Sequence, residues 1–449
     1  MGKSVCSFCF ILLVSSRNYV VFKRLLDSMK HYIKQIIKNP LFTGSAVMIV
    51  GSNATNFLNY IYHLIIGRML GPVNYSELAA IFSLIGLAAM VPASFGPVIV
   101  KFISASKTDV QITTLISWFN KKIFLFAGVI TLLVLLISAP LSSFLQIENK
   151  MLIAVSSLVF LFMIPAVLNR GVLQGLLRFK SMVTSILAEN SIRLISGVSF
   201  IYLGFSVFGA TIGLVLAAFI GFLLSRLFIR DYFKKEPESK PDIAPMLRYS
   251  FPVVIQSVAV TSLYSTDVLL VKHFFSPHDA GIYAALSTLG KIIFFGAGPI
   301  SAVMFPLVSK RESEGENYTK IFIYSLVLTI LLSSGILFIY WMFPKFTISI
   351  LYGASYLEAA GLLVWFGVFI ALFTLCSLLI HFYLSLGKVK VVLLPLIAAL
   401  AQILGIFTYH DSLKTVITVS ITVTALLLVG LLIYLRYAAK VNFSNRPDL

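Results

Sequence analysis

Between Leu41 and Leu435 the chain carries about a dozen apolar stretches, each close to the ~20 residues that a helix needs to cross a bilayer. They run over 41–66, 77–99, 123–145, 151–169, 182–203, 205–229, 249–271, 280–307, 321–343, 356–381, 389–409 and 413–435. Water does not tolerate that much exposed apolar surface, and a soluble core of 449 residues has no use for it. Only 12% of the residues are charged, against about 25% in soluble domains. The expected fold is an all-α polytopic membrane protein, and its function lies in or across a membrane.

Composition and motifs exclude several chemistries. Cys6, Cys9 and Cys376 are the only cysteines, too few for a disulfide framework, and Cys6 and Cys9 form a CxxC with no second pair. No phosphate-binding loop, HExxH, GxSxG or dinucleotide fingerprint occurs. No polar stretch is long enough for an ATPase domain. The chain reads as a non-enzyme without cofactors. Residues 1–40 read as a basic cytoplasmic leader: Val21, Leu25, Met29, Ile33 and Ile36 alternate with Lys23, Arg24, Lys30, Lys34 and Lys38 at helical spacing. Met29 is an alternative start.

Lysine and arginine sort by side. With the N-terminus inside, 28 of the 35 fall in inner connections or termini and five in outer ones, leaving Arg193 and Lys291 inside spans. That asymmetry fits the positive-inside rule and puts both termini in the cytoplasm. It also accounts for the net charge of +18 without a nucleic-acid partner.

The longest polar break between spans, at 230–246, divides six spans (41–229) from six (247–435), with a cytoplasmic tail at 436–449. The halves echo each other. GRMLGPVNYSELAAIFSL at Gly67–Leu84 matches KHFFSPHDAGIYAALSTL at Lys272–Leu289, with Pro72 on Pro277, Ala79 on Ala284, Ala80 on Ala285 and Leu84 on Leu289, each separated by 205. An even number of spans per half gives both repeats one orientation, so a pseudo-two-fold axis along the membrane normal should relate them. Pro92 and Pro97 in one copy, and Pro299 and Pro306 with Gly296 and Gly298 in the other, should interrupt the second span of each half.

Three blocks carry a resemblance: the Gly67–Leu84 segment, RGVLQGLLRFK at Arg170–Lys180, and TDVLLVKHFFSPHDAGIYAALSTL at Thr266–Leu289. They resemble the Wzx-like polysaccharide and oligosaccharide flippases of the multidrug/oligosaccharidyl-lipid/polysaccharide exporter superfamily. The resemblance covers nearly the whole chain from Leu41. It implies two six-helix lobes and alternating-access transport of a polyprenyl-diphosphate-linked glycan across the cell membrane. Glycosyltransferases and a polymerase are the implied partners. The family usually has a small residue after the loop aromatic, as in Asp279–Ala280–Gly281; the first copy has Ser76–Glu77, a departure that leaves the role of Glu77 open. A peptidoglycan-precursor flippase or an organic-cation exporter of the same superfamily is the alternative, although the latter would favour acidic groups.

A charge at the bilayer centre costs at least about 2.5 kcal/mol, so each one needs a reason. Arg193 and Lys291 each fall about eleven residues into a span, at mid-depth, one in each half. Such cations would meet a pyrophosphate, Lys as a point charge and Arg in bidentate fashion. Glu189, one turn before Arg193, would alternatively neutralise it. Asp267 and Glu189 are the candidates for coupling to a proton or Na⁺; Asp267 would otherwise partner Lys272. His63, His273, Tyr60, Tyr62, Tyr75 and Tyr283 read as interfacial groups near span ends.

Overall fold

The computed structural model describes residues 40–106, 108–233 and 244–444. The basic leader, most of the linker and the last five residues lie outside the described residues. Every regular element described is helical. The first half comprises α1 (Pro40–Ala93), α2 (Gly96–Ala105), α3 (Asp109–Leu136), α4 (Ser138–Phe144), α5 (Met151–Gly175), α6 (Phe179–Phe200) and α7 (Ser206–Phe228). The second comprises α8 (Ala244–Phe274), α9 (Pro277–Ser313), α10 (Thr319–Met342), α11 (Pro344–Leu351), α12 (Ala360–Ser385), α13 (Leu393–Thr408) and α14 (Leu413–Ser444).

Ten described helical stretches are long and apolar enough to cross a membrane. Two of them, Val50–Ser104 and Phe179–Phe228, hold 55 and 50 residues. Straight, these would measure roughly 75–83 Å, far beyond the ~30 Å hydrocarbon core. Both double back. Gly71 takes φ 69° and ψ 173°, a conformation open only to glycine. Beyond it the chain returns, so that the rings of Tyr62 and Phe82, twenty residues apart, lie 5.6 Å from each other. Gly204, at φ 91°, reverses the chain between α6 and α7, and Ser196 Oγ then donates to the Gly213 carbonyl at 3.3 Å.

The internal repeat is visible in the packing. In the first half α1 packs on α6, α3 on α5, α5 on α7, and α6 on α7. In the second half α8 packs on α13, α10 on α12, α12 on α14, and α13 on α14. The same wiring occurs twice, and the two lobes meet where α1 crosses α8 and α9.

Three local expectations need correction. The span expected at 123–145 splits at Ile137 into α3 and the short α4. Pro140 stands in the first turn of α4, where a missing N–H has no helical partner to lose. The short α11 is its counterpart in the second half. Secondly, α5 runs on to Gly175, which places Arg170 inside a helix rather than in a connection. Thirdly, only one of the proline-bearing helices breaks: the chain leaves α1 at Ala93 and restarts at Gly96, whereas α9 continues through Pro299 and Pro306.

Candidate functional site

A cavity of about 260 Å³ lies between the lobes, on the seam of α1, α6, α8 and α9. Arg193 of the first lobe and Lys291 of the second both line it. Asn59, Ser83, Thr261, Ser265, Ser287 and Thr288 supply neutral polar groups, and Tyr60, Tyr264 and Phe295 supply ring faces. No carboxylate is among the lining residues.

The two cations are held differently. The Arg193 guanidinium donates from Nη2 to the amide oxygens of Asn59 and Asn190, each at 2.6 Å. It lies 4.9 Å from the centre of the Tyr62 ring and 5.6 Å from that of Phe82, within cation–π range. Its Nε has no hydrogen-bond partner. Lys291 stands 5.4 Å from the centre of the Tyr264 ring and makes no ion pair among the described residues. Both cations are therefore supported by dipoles and ring quadrupoles and keep their charge available.

Glu189 does not neutralise Arg193. It pairs with Arg170 of α5, whose guanidinium also bonds Ser185 Oγ at 3.1 Å. Gly221 of α7 makes room for this pair, since a Cβ there would strike the Glu189 carboxylate. The pair sits within the first lobe and Glu189 does not line the cavity. Asp267 is fully buried beside the seam and accepts a 2.8 Å hydrogen bond from Tyr283 Oη. Its other oxygen finds no side-chain partner, and its nearest charged influence is Lys291 rather than Lys272. Lys272 is 1% exposed and interacts instead with Glu77 and Glu148.

The tyrosines expected at the membrane surface are interior. Tyr62, Tyr75 and Tyr283 are each 0% exposed, and Tyr60 and Tyr75 line the cavity with His63. For Tyr60, Tyr62 and Tyr75 the hairpin at Gly71 is the cause, because it folds both flanks of the turn against the second lobe, whereas Tyr283 is held within that lobe by Asp267 and Phe366. Tyr75 bridges the lobes at the Gly71 end of the cavity lining. Tyr75 Oη lies 3.1 Å from Thr288 Oγ1, 3.2 Å from Tyr352 Oη and 3.2 Å from His63 Nδ1. Above them the Pro72 backbone rests on Gly281, where any Cβ would overlap the Pro72 carbonyl. Spacing alone gave no sign of this bridge, although a tyrosine four residues past a Gly–Pro turn was a usable cue.

A cation from each lobe, hydroxyls in the same lining and no acid among the lining residues suit a divalent anion attached to a polar group. The same lining offers no carboxylate to compensate a cationic ligand.

Over 86% of this chain the fold is similar to that of an inward-facing multidrug resistance MATE family transporter of the MOP superfamily, with TM-score 0.71, 14% identity and 96% of that chain covered. It is similar also to the lipid II flippase MurJ in an inward closed conformation, with TM-score 0.67, 16% identity, and 86% and 87% of the two chains covered. In sequence, 159 residues are 25% identical to the uncharacterized membrane protein MJ1375 of Methanocaldococcus jannaschii. That match takes in 32% of this chain and spans 38% of the length of the archaeal protein. Residues 41–312 match the family described as polysaccharide biosynthesis protein. More than half of the chain lies in that match, and this multi-pass membrane protein therefore belongs to the polysaccharide biosynthesis protein family.

Proposed function

We propose that the protein flips a polyprenyl-diphosphate-linked oligosaccharide or polysaccharide repeat unit across the cytoplasmic membrane by alternating access. The observation that carries this reading is the cavity shared by Arg193 and Lys291, one from each lobe, with no carboxylate in its lining. The pyrophosphate sits between the two cations, the sugars meet the hydroxyl and amide groups, and the polyprenyl tail stays in lipid. The lobes, 41–229 and 247–435, rock about the seam, and neither builds the site alone.

The charge sorting of the connections puts both termini and the 230–246 linker in the cytoplasm. On that orientation the Gly71 end faces outward, and the Tyr75 contacts that join the lobes there fit a state ready to load a glycan assembled inside. Glycosyltransferases supply the cargo and a polymerase or ligase consumes it outside.

Coupling is assigned to Asp267. A carboxylate buried at the seam takes up a proton or Na⁺ most readily once a cargo anion has neutralised Lys291, because the free ammonium favours the ionised carboxylate and repels a second cation. Glu189 is already committed to Arg170. Asp267→Asn should leave glycan-lipid binding intact and remove the response of flipping to an imposed proton or Na⁺ gradient. An unchanged gradient response would take Asp267 out of the cycle.

The cargo class is tested in proteoliposomes with three probes: a fluorescent diphosphate-linked glycan lipid, its monophosphate analogue and an organic cation. The diphosphate lipid should be flipped fastest and the cation not at all. Transport of the cation without the glycan lipid would replace this reading with that of a drug exporter.

A further inference from the structure

The lobes are also tied together at the Gly71 end by contacts that obey the 205-residue shift of the sequence repeat. Arg68, at the tip of the first span, donates from Nη2 to the Ser349 carbonyl at 3.2 Å. His273, 205 positions later, bonds through Nδ1 to the Phe144 carbonyl at 2.6 Å. Phe144 itself stands 205 positions before Ser349. Donor and acceptor thus occupy the same repeat positions in both contacts, with the lobes exchanged. A carbonyl only accepts, so Nδ1 of His273 carries the proton.

The acceptors lie in the last turns of α4 and α11, and the Ser349 carbonyl accepts there from Gly353 N at 3.1 Å as well as from Arg68. Each short helix, with the loop after it, reaches over the tip of the opposite lobe. The loops add a second grip. Gln146 Nε2 donates to the His273 carbonyl at 2.6 Å, and the His273 ring stacks on Phe144 at 3.9 Å. On the other side Tyr356 Oη donates to the Gly67 carbonyl at 2.8 Å. Gly67 admits the Tyr352 ring so closely that a Cβ would come within 2.6 Å of it. Gly353, at φ 93°, turns the chain beneath the Arg68 side chain.

We propose that these two arms form a paired latch, each lobe hooking the other's tip through a backbone carbonyl, and that both hooks release together when the cavity opens at the Gly71 end. A carbonyl acceptor explains how the latch keeps its two-fold form while the donor differs, Arg in one repeat and His in the other. Two hooks placed on either side of the pseudo-axis oppose one rotation, so neither lobe can swing away with a single contact intact. The latch rests on the alternating-access reading and not on the identity of the cargo.

The test reads access to the cavity and not transport. In a background with Cys6, Cys9 and Cys376 replaced by serine, Ser287→Cys places a thiol in the cavity lining. A membrane-impermeant maleimide is then applied separately to each face of the membrane. Arg68→Ala and His273→Ala should each raise labelling through the Gly71 face about fivefold, the worth of one net hydrogen bond, and about 25-fold together. Cysteine pairs at positions 68 and 349, or at 144 and 273, are joined by a short reducible thiosulfonate cross-linker. Closing either pair should abolish labelling from the Gly71 face, and a reductant should restore it. Labelling that persists with both pairs cross-linked, or that does not rise in the double alanine variant, overturns the latch. Should the glycan lipid fail to be flipped while labelling follows this pattern, the cargo reading falls and the latch stands.

Discussion

Arg193 is oriented by two amide oxygens and two ring faces, whereas Lys291 has one ring and open cavity before it. That difference sets what each tolerates. Lys291→Ala should abolish glycan flipping with insertion and thermal stability unchanged, and Lys291→Arg should restore part of the rate, as read in a flipping assay beside a melting curve. The Arg170–Glu189 pair makes the opposite prediction. Its side chains are 15% and 22% exposed, so Glu189→Gln strands a buried cation and should lower stability by about 3 kcal/mol. Replacing both partners by apolar residues should recover most of that loss, measured by thermal unfolding in detergent. Lys291 and Arg193 were legible in the sequence because an isolated cation in an apolar run has few other reasons to exist. The partner of Glu189 was not. Arg170 lies nineteen residues earlier, across a helix–helix contact, and only its position inside an uninterrupted helix reveals it.

At the scale of elements, the Gly71 turn decides what the first lobe can do. It brings His63, Tyr62, Tyr75 and Phe82 into one cluster, which then carries both the Tyr75 bridge and the Arg193 stacking. Gly71→Val forces a branched side chain into a glycine-only conformation and should cost about 1–3 kcal/mol, with loss of the Tyr75 bridge. Thermal stability and labelling of the cavity thiol would check it; a melting point equal to wild type would show that the turn relaxes without strain. The repeat block around this turn was readable from matched prolines and alanines 205 residues apart. The short helices α4 and α11 were hidden because their apolar residues run on from the preceding span. The inward placing of the tyrosines was hidden for a related reason, since hydropathy gives depth along a span but not which face of it meets the other lobe.

For the whole molecule, two lobes with the same internal packing meet along α1, α8 and α9 and leave a cavity on that seam. Buried cations are tolerated there because amide oxygens and ring faces support Arg193 and a ring face supports Lys291. In the proposed alternating-access cycle, Tyr75 and the Pro72–Gly281 contact join the lobes at one end, and a loaded anion would bind both lobes at once, drawing them together as that end parts. The most direct measurement is the initial rate of flipping of a fluorescent polyprenyl-diphosphate glycan in proteoliposomes by wild type and by the Arg193→Ala/Lys291→Ala double variant. The rate should fall to that of protein-free vesicles in the double variant, with the lobes still folded. A double variant that flips the lipid at the wild-type rate would contradict the account.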